Sequence, residues 1–230
     1  MALPKVLHPT KKIHIPSLNL DADFEPFTTE DEKAIVLLEQ ESSLYDKARL
    51  QVDILEKCCK TTGIDFHKLA AIEITFLFLQ LRKISVSGGL ELTMKCKNCE
   101  HEFPMTIDIN AIKFDTTYLK EDKVLINTSD GPYYIVYSQI RPDDLQFASP
   151  DGNAYDDAAL VLRQLMRPDG NDIIELTVDE KRELFGQLEL ETVKKIGEYL
   201  QNCPTLSHHI ELACPECGEK IEGDLQDFFI

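Results

Sequence analysis

Two stretches decide how this chain is read: residues 90–107, LELTMKCKNCEHEFPMTI, and residues 209–221, HIELACPECGEKI. In each, alternating apolar residues lead into a Cys-x-x-Cys knuckle and resume beyond it. Leu90, Leu92 and Met94 precede Cys96 and Cys99, with Phe103, Met105, Ile107 and Ile109 after them; Ile210 and Leu212 precede Cys214 and Cys217, with Ile221 after. Period-two alternation is the mark of a strand with one face covered. The two copies therefore predict the same hairpin twice, each with two thiols at its turn.

A two-residue gap lets both sulfurs of a knuckle reach one ion around a tight turn, and zinc favours four thiolates in a tetrahedron. One knuckle supplies half a site. Cys96, Cys99, Cys214 and Cys217 together supply a structural Zn2+ site, formed as a split zinc ribbon. The obstacle is the 114 residues between Cys99 and Cys214, against a usual spacing of roughly 15–20. Closure entropy grows by only about 0.6 kcal/mol per doubling of loop length, so the excess costs about 2 kcal/mol. Zinc binding to thiolate sites is worth on the order of 10 kcal/mol or more. A folded insertion lowers the closure cost further.

Other uses of the four thiols fit less well. A redox pair sits at the start of a helix, whereas each knuckle here leads into a strand. Local disulfides belong to exported chains, and a plain turn without metal is the remaining alternative. His101, His208 and His209 lie close by as substitute ligands, but four cysteines already complete a shell. Cys58 and Cys59 fall on one helix about 100° apart, and Cys203 reads as a small hydrophobe at a helix end.

The rest of the chain arranges itself around the knuckles. Residues 1–27 mix prolines with short apolar pairs such as Ile13, Ile15 and Leu18, and predict an extended N-terminal arm. Residues 28–87 predict a helical domain. Thr29 and Glu32 have the spacing of a capping box for a first helix, and Ala48, Val52, Leu55 and Cys59 form the inner stripe of a second over 44–59. A third, over 65–84, is apolar nearly all round, with Glu73, Gln80 and Lys83 as its polar edge. Gly88-Gly89 ends the helical part.

The split ribbon takes residues 88–112 and 205–230, with an inserted hairpin-and-helices subdomain over 113–204. There, 123–127 and 133–139 flank the turn Ser129-Asp130-Gly131. Asp156-Asp157 open a helix expected to run toward Pro168, Thr177 and Glu180 cap the next, and Leu190, Val193, Ile196 and Leu200 mark a third. The fold class is α+β.

Composition narrows function. With 41 acidic against 24 basic residues and a formal charge of −17, the chain lacks the basic surface that releases counterions from nucleic acid. The N-terminal residues carry no continuous apolar stretch, so neither a signal peptide nor an anchor is read there. The most apolar window, Leu69 to Leu81, is interrupted by Glu73 and Gln80 and is shorter than a bilayer span. Seven cysteines without an export signal point to reduced thiols. The sequence lacks H-E-x-x-H, a phosphate-cradling glycine loop and a G-x-S-x-G elbow. Asp151-Gly-Asn153 begins like a calcium loop but has Asp156 at the sixth position and Leu162 at the twelfth. Asp21, Asp23, Asp143 and Asp144 read as solvated loop carboxylates, and no partner-binding residue can be named.

In its order of features the chain resembles the baseplate hub proteins of T-even-type contractile-tailed bacteriophages, a group that includes the hub subunit and the hub assembly factor. The similar features are an acidic first helix, the helix containing Ile72-Glu73-Ile74-Thr75-Phe76, Ser87-Gly88, and the first knuckle. They continue with Pro204-Thr205-Leu206, His208, the knuckle Cys214-Pro215-Glu216-Cys217-Gly218 and the terminal Leu225 to Phe229. The resemblance implies a structural or assembly protein without catalytic activity, found in the virion tail or the host cytoplasm during assembly. Its implied partners are other phage baseplate hub or wedge proteins, with no direct nucleic acid, membrane or small-molecule substrate. The Phe228-Phe229-Ile230 end reads as a docking element or as packing against the ribbon. A second reading is a zinc-ribbon regulator contacting transcription machinery or nucleic acid, and a third is a thiol oxidoreductase.

Overall fold

The computed structural model describes residues 6–39, 43–86, 89–116, 119–149, 154–202 and 204–224. Gly88, the Asp151-to-Asn153 loop, Cys203 and the Phe228-Phe229-Ile230 end lie outside the described residues. The architecture is mixed helix and strand.

The N-terminal stretch differs from the expected arm. It is a hairpin, β1 (Lys11–Ile15) paired antiparallel with β2 (Leu20–Phe24). The chain reverses at Pro16 to Asn19, where the Asn19 amide bonds the Pro16 carbonyl and Asn19 takes a φ of 48°. Asparagine tolerates that left-handed conformation better than most residues. Alternation then buries Ile13, Ile15, Ala22 and Phe24 on one face. Pro16 thus opens a turn between two strands.

α1 (Thr29–Glu39) follows. Its cap lies one residue earlier than the Thr29 and Glu32 spacing suggested: Thr28 donates from its amide and its hydroxyl to Asp31. α2 (Leu44–Cys58) carries a full capping box between Ser43 and Asp46. It buries Ala48, Val52, Leu55 and Cys58, the last in place of the expected Cys59. Cys59 instead bridges to Phe24.

The expected helix over 65–84 is divided. Phe66–Lys68 form one 3-10 turn, and α3 begins only at Ala71 (Ala71–Ser85), where the Ala71 amide, which has no acceptor within the helix, bonds the Ile140 carbonyl. Glu73, on the expected polar edge, is fully buried and accepts from the Ser17 amide at 2.8 Å. The hairpin and the three helices share one core built on Phe24, Leu55, Phe66, Leu77 and Leu81.

Next come β3 (Leu90–Lys95) and β4 (Glu102–Ile107), an antiparallel pair with the first knuckle at its tip. β5 (Lys113–Phe114) leads into the insertion. There, β6 (Asp122–Thr128) and β7 (Gly131–Tyr137) form the expected hairpin around Ser129-Asp130. The helix expected toward Pro168 is a single short piece, α4 (Ala154–Ala159). Leu160-Val161-Leu162 then turn into β8 (Leu162–Met166), which β9 (Ile173–Glu175) joins. Backbone pairing to β7 outweighs any helical pattern here, and Ala159 through Leu162 are all buried. α5 (Val178–Gln187), capped by Thr177 and Glu180, and α6 (Leu190–Gln201) cover the four-stranded sheet, ordered β6-β7-β8-β9, around Ile135, Leu162 and Ile196.

The chain leaves the insertion where it entered. β10 (Leu206–Ser207) pairs with β5, and the Asp115 amide bonds the Thr205 carbonyl. β11 (His209–Ala213) and β12 (Lys220–Asp224) then form the second knuckle hairpin. The two knuckle hairpins are separate two-stranded sheets. A third core beneath them joins Ile107, Ile109, Ile112, Leu206 and Ile210 to Ile72, Phe76 and Leu79 of α3. Phe76 stacks on Phe114 at 4.7 Å.

Candidate metal centre

Each knuckle is built by the same backbone bonds. The Cys96 amide donates to the His101 carbonyl, and the Glu100 amide to the Cys96 carbonyl; in the second copy, Cys214 bonds Glu219 and Gly218 bonds Cys214. The residue after the second cysteine must then take a left-handed conformation, with φ 58° at Glu100 and 73° at Gly218. Glycine does this freely and glutamate does not. The bends turn all the sulfurs inward.

The two tips meet. Cys96 Sγ lies 3.7 Å from Cys217 Sγ, and Cys99 Sγ lies 3.6 Å from Cys214 Sγ. All four sulfurs fall within 4.8 Å of one another and can hold a metal ion. A tetrahedron of sulfurs about 2.3 Å from its centre has edges of about 3.8 Å, so the donor set fits a zinc-sized ion. Cys96 and Cys214 are buried, while Cys99 and Cys217 are exposed at the rim of the cluster.

The clustered thiols perturb one another's ionisation. The Glu219 amide, the Asn98 side-chain amide and the adjacent thiols together lower Cys217 to about 6. Cys99 rises to about 12: its bond from the His101 amide is outweighed by desolvation and by the surrounding sulfurs. One negative charge forms readily in the cluster and the next resists, a repulsion that a divalent cation bound there would offset.

The histidines stay outside. His101 stacks on Phe103, and His209 pairs with Glu222 at 3.5 Å. The site includes one residue that sequence reading missed: Asn98 Nδ2 reaches across to Cys217 Sγ at 3.6 Å. Amides commonly bond ligand sulfurs, and Asn98 sits inside its knuckle, so its position was the available signal. Cys58 stands apart, its thiol raised to about 11 by burial.

The four aspartates singled out in the sequence do not converge. Asp21 pairs with His14 and Asp143 with His67, while the Asp23 amide donates to Thr61. Asp144, expected in solvent, is buried between Arg163 Nη1 at 2.7 Å and Lys181 Nζ at 3.4 Å. Ser138, Gln139 and Leu160 supply the remaining acceptors for these two cations.

The sequence matches the family described as T4 bacteriophage base plate protein over residues 8–230, nearly its whole length. The chain belongs to this family. Searches of curated proteins and of solved structures returned no significant match. Family membership points to a structural role in the phage baseplate, a place in the virion tail and contacts with other baseplate proteins. Among the described residues, no helix is long and apolar enough to cross a membrane.

Proposed function

We propose that this base plate family member is a hub subunit or hub assembly factor, and that one structural Zn2+ held by Cys96, Cys99, Cys214 and Cys217 fixes its shape for binding hub or wedge proteins. The observation that carries this reading is the convergence of four sulfurs from two hairpins that are far apart in sequence. An ion there would tie β3-β4 to β11-β12 directly above the core they share with α3. Four thiolates leave zinc no open position for a substrate, which favours a scaffold over a catalyst. The acidic balance of −17 weighs against the alternative of a regulator that contacts nucleic acid.

The test is co-purification with neighbouring baseplate proteins from infected cells, with assembly intermediates and mature particles analysed in parallel. Stable association with hub or wedge proteins supports the reading. Absence from both intermediates and particles overturns it, and presence in intermediates alone selects the assembly factor over the subunit.

A further inference from the structure

β9 is the last strand of the insertion's sheet, and among the described residues no strand pairs with its outer edge. The register decides which backbone groups face that edge. Gln164, Leu165 and Met166 stand opposite Glu175, Ile174 and Ile173, and the flanking bonds run from the Arg167 amide to the Asp172 carbonyl and from the Leu176 amide to the Arg163 carbonyl. In an antiparallel ladder, hydrogen-bonded pairs alternate with non-bonded ones. Ile174 therefore bonds inward to Leu165, whereas the amides and carbonyls of Ile173 and Glu175 point away from the sheet. Among the described residues, nothing pairs with them.

The side chains along this edge are unfinished in the same direction. Val124, Ile135, Leu165 and Ile174 stand opposite one another in turn across the four strands. This apolar row is covered at Ile135, which is fully buried, and ends at Ile174, which is 41% exposed. Ile173, on the other face, is 54% exposed. Around the two isoleucines acidic groups predominate: residues 169–180 contain five carboxylates and no lysine or arginine, and the nearby Arg167 is paired with Asp172 at 3.2 Å. Asp169, Asp172, Glu175, Asp179 and Glu180 are all exposed.

We propose that β9 is a docking edge that takes a basic, apolar-centred strand of another protein as the fifth strand of the sheet. Main-chain bonds to Ile173 and Glu175 would supply affinity, as in other strand-addition complexes, and the flanking side chains would supply selection. An antiparallel guest places an apolar residue opposite Ile174, extending the row, and lysine or arginine opposite Glu175 and Asp172. Charge selects this guest over a second copy of the chain, which brings the same acidic rim and its own −17. The acidic residues keep the edge from self-pairing while admitting a cationic strand. This docking edge is independent of the metal-centre reading.

The test uses the full-length protein and the end-capped, fluorescently labelled peptide TKIVKT, read by anisotropy, with TEIVET as the charge-reversed control. The expected result is saturable binding of TKIVKT, at least about tenfold weaker binding of TEIVET, and slowed hydrogen exchange at the Ile173 and Glu175 amides. Ile173→Pro removes an outward donor at an edge position where proline is tolerated, and weakens binding at least about tenfold. Glu175→Lys, a change on an exposed side chain, shifts preference toward TEIVET and serves if the proline disturbs the fold. Equal binding of both peptides, unchanged binding by both variants, or no saturable binding up to millimolar peptide overturns the proposal. Self-association that Ile173→Pro abolishes also overturns it, in favour of a second copy as the occupant.

Discussion

Glu100 and Gly218 occupy equivalent places in the two knuckles, yet only one is glycine. Holding a side-chain-bearing residue in the left-handed region costs roughly 1–2 kcal/mol, so Glu100→Gly is expected to raise the melting temperature, with a gain of about 1 kcal/mol in chemical denaturation. Its ion pair with Lys95, at 3.8 Å and exposed on both sides, offsets little of this. Gly218→Ala should lose a similar amount, since open space surrounds the position and only the backbone objects. Glu73 gives a pH signature. Burial raises its carboxyl above the ordinary range, although the Ser17 amide and the nearby His14 oppose this. The neutral form is favoured in the fold, so this contribution is complete below the unfolded carboxyl value of about 4.3 and is lost as pH rises through the raised value. Glu73→Gln, which keeps an acceptor for Ser17, should flatten the fall in stability that sets in above about pH 4, as followed by thermal melting. The sequence showed the four sulfurs by spacing alone, because knuckle geometry is local. It concealed Glu73, since burial of a carboxyl depends on a hairpin turn more than fifty residues away.

The elements that sequence placed well are those with local signals. Thr177 and Glu180 cap α5 as their spacing requires, and Ser129-Asp130 turns the β6-β7 hairpin. Those it misplaced depend on distant partners: β1 and β2 bury alternate residues against helices, and β8 is a strand because β7 lies beside it. If the N-terminal hairpin is part of the core, Ile15→Ala should destabilise the chain by about 2–5 kcal/mol in denaturant titration; an arm would show almost no effect. Pro142–Phe147 form a 3-10 segment beside the sheet. It carries Asp144, which sits between two cations whose pKa values burial lowers. Asp144→Ala leaves Arg163 and Lys181 buried without their counter-charge and should cost about 3–5 kcal/mol. Because Arg141 to Asp144 also closes the segment's own cap, loss of the β6-to-β9 sheet signal by hydrogen exchange should accompany it.

For the whole molecule, the insertion is a folded body whose ends are clasped by β5 and β10, so its length adds little to the cost of bringing the knuckles together. α3 lends side chains both to the core of the N-terminal hairpin and helices and to the one beneath the knuckles. An ion at the tips would thus brace the C-terminal hairpin against the helical part. The order of elements made the family legible in the sequence, while the open edge of β9 was not, because edges follow from sheet order. Two knuckles that complete one site would hold a single ion. Native mass spectrometry of the purified chain should therefore find one zinc per chain, lost entirely in both Cys96→Ser and Cys217→Ser. Two ions per chain, or one ion retained by either variant, would contradict a shared site.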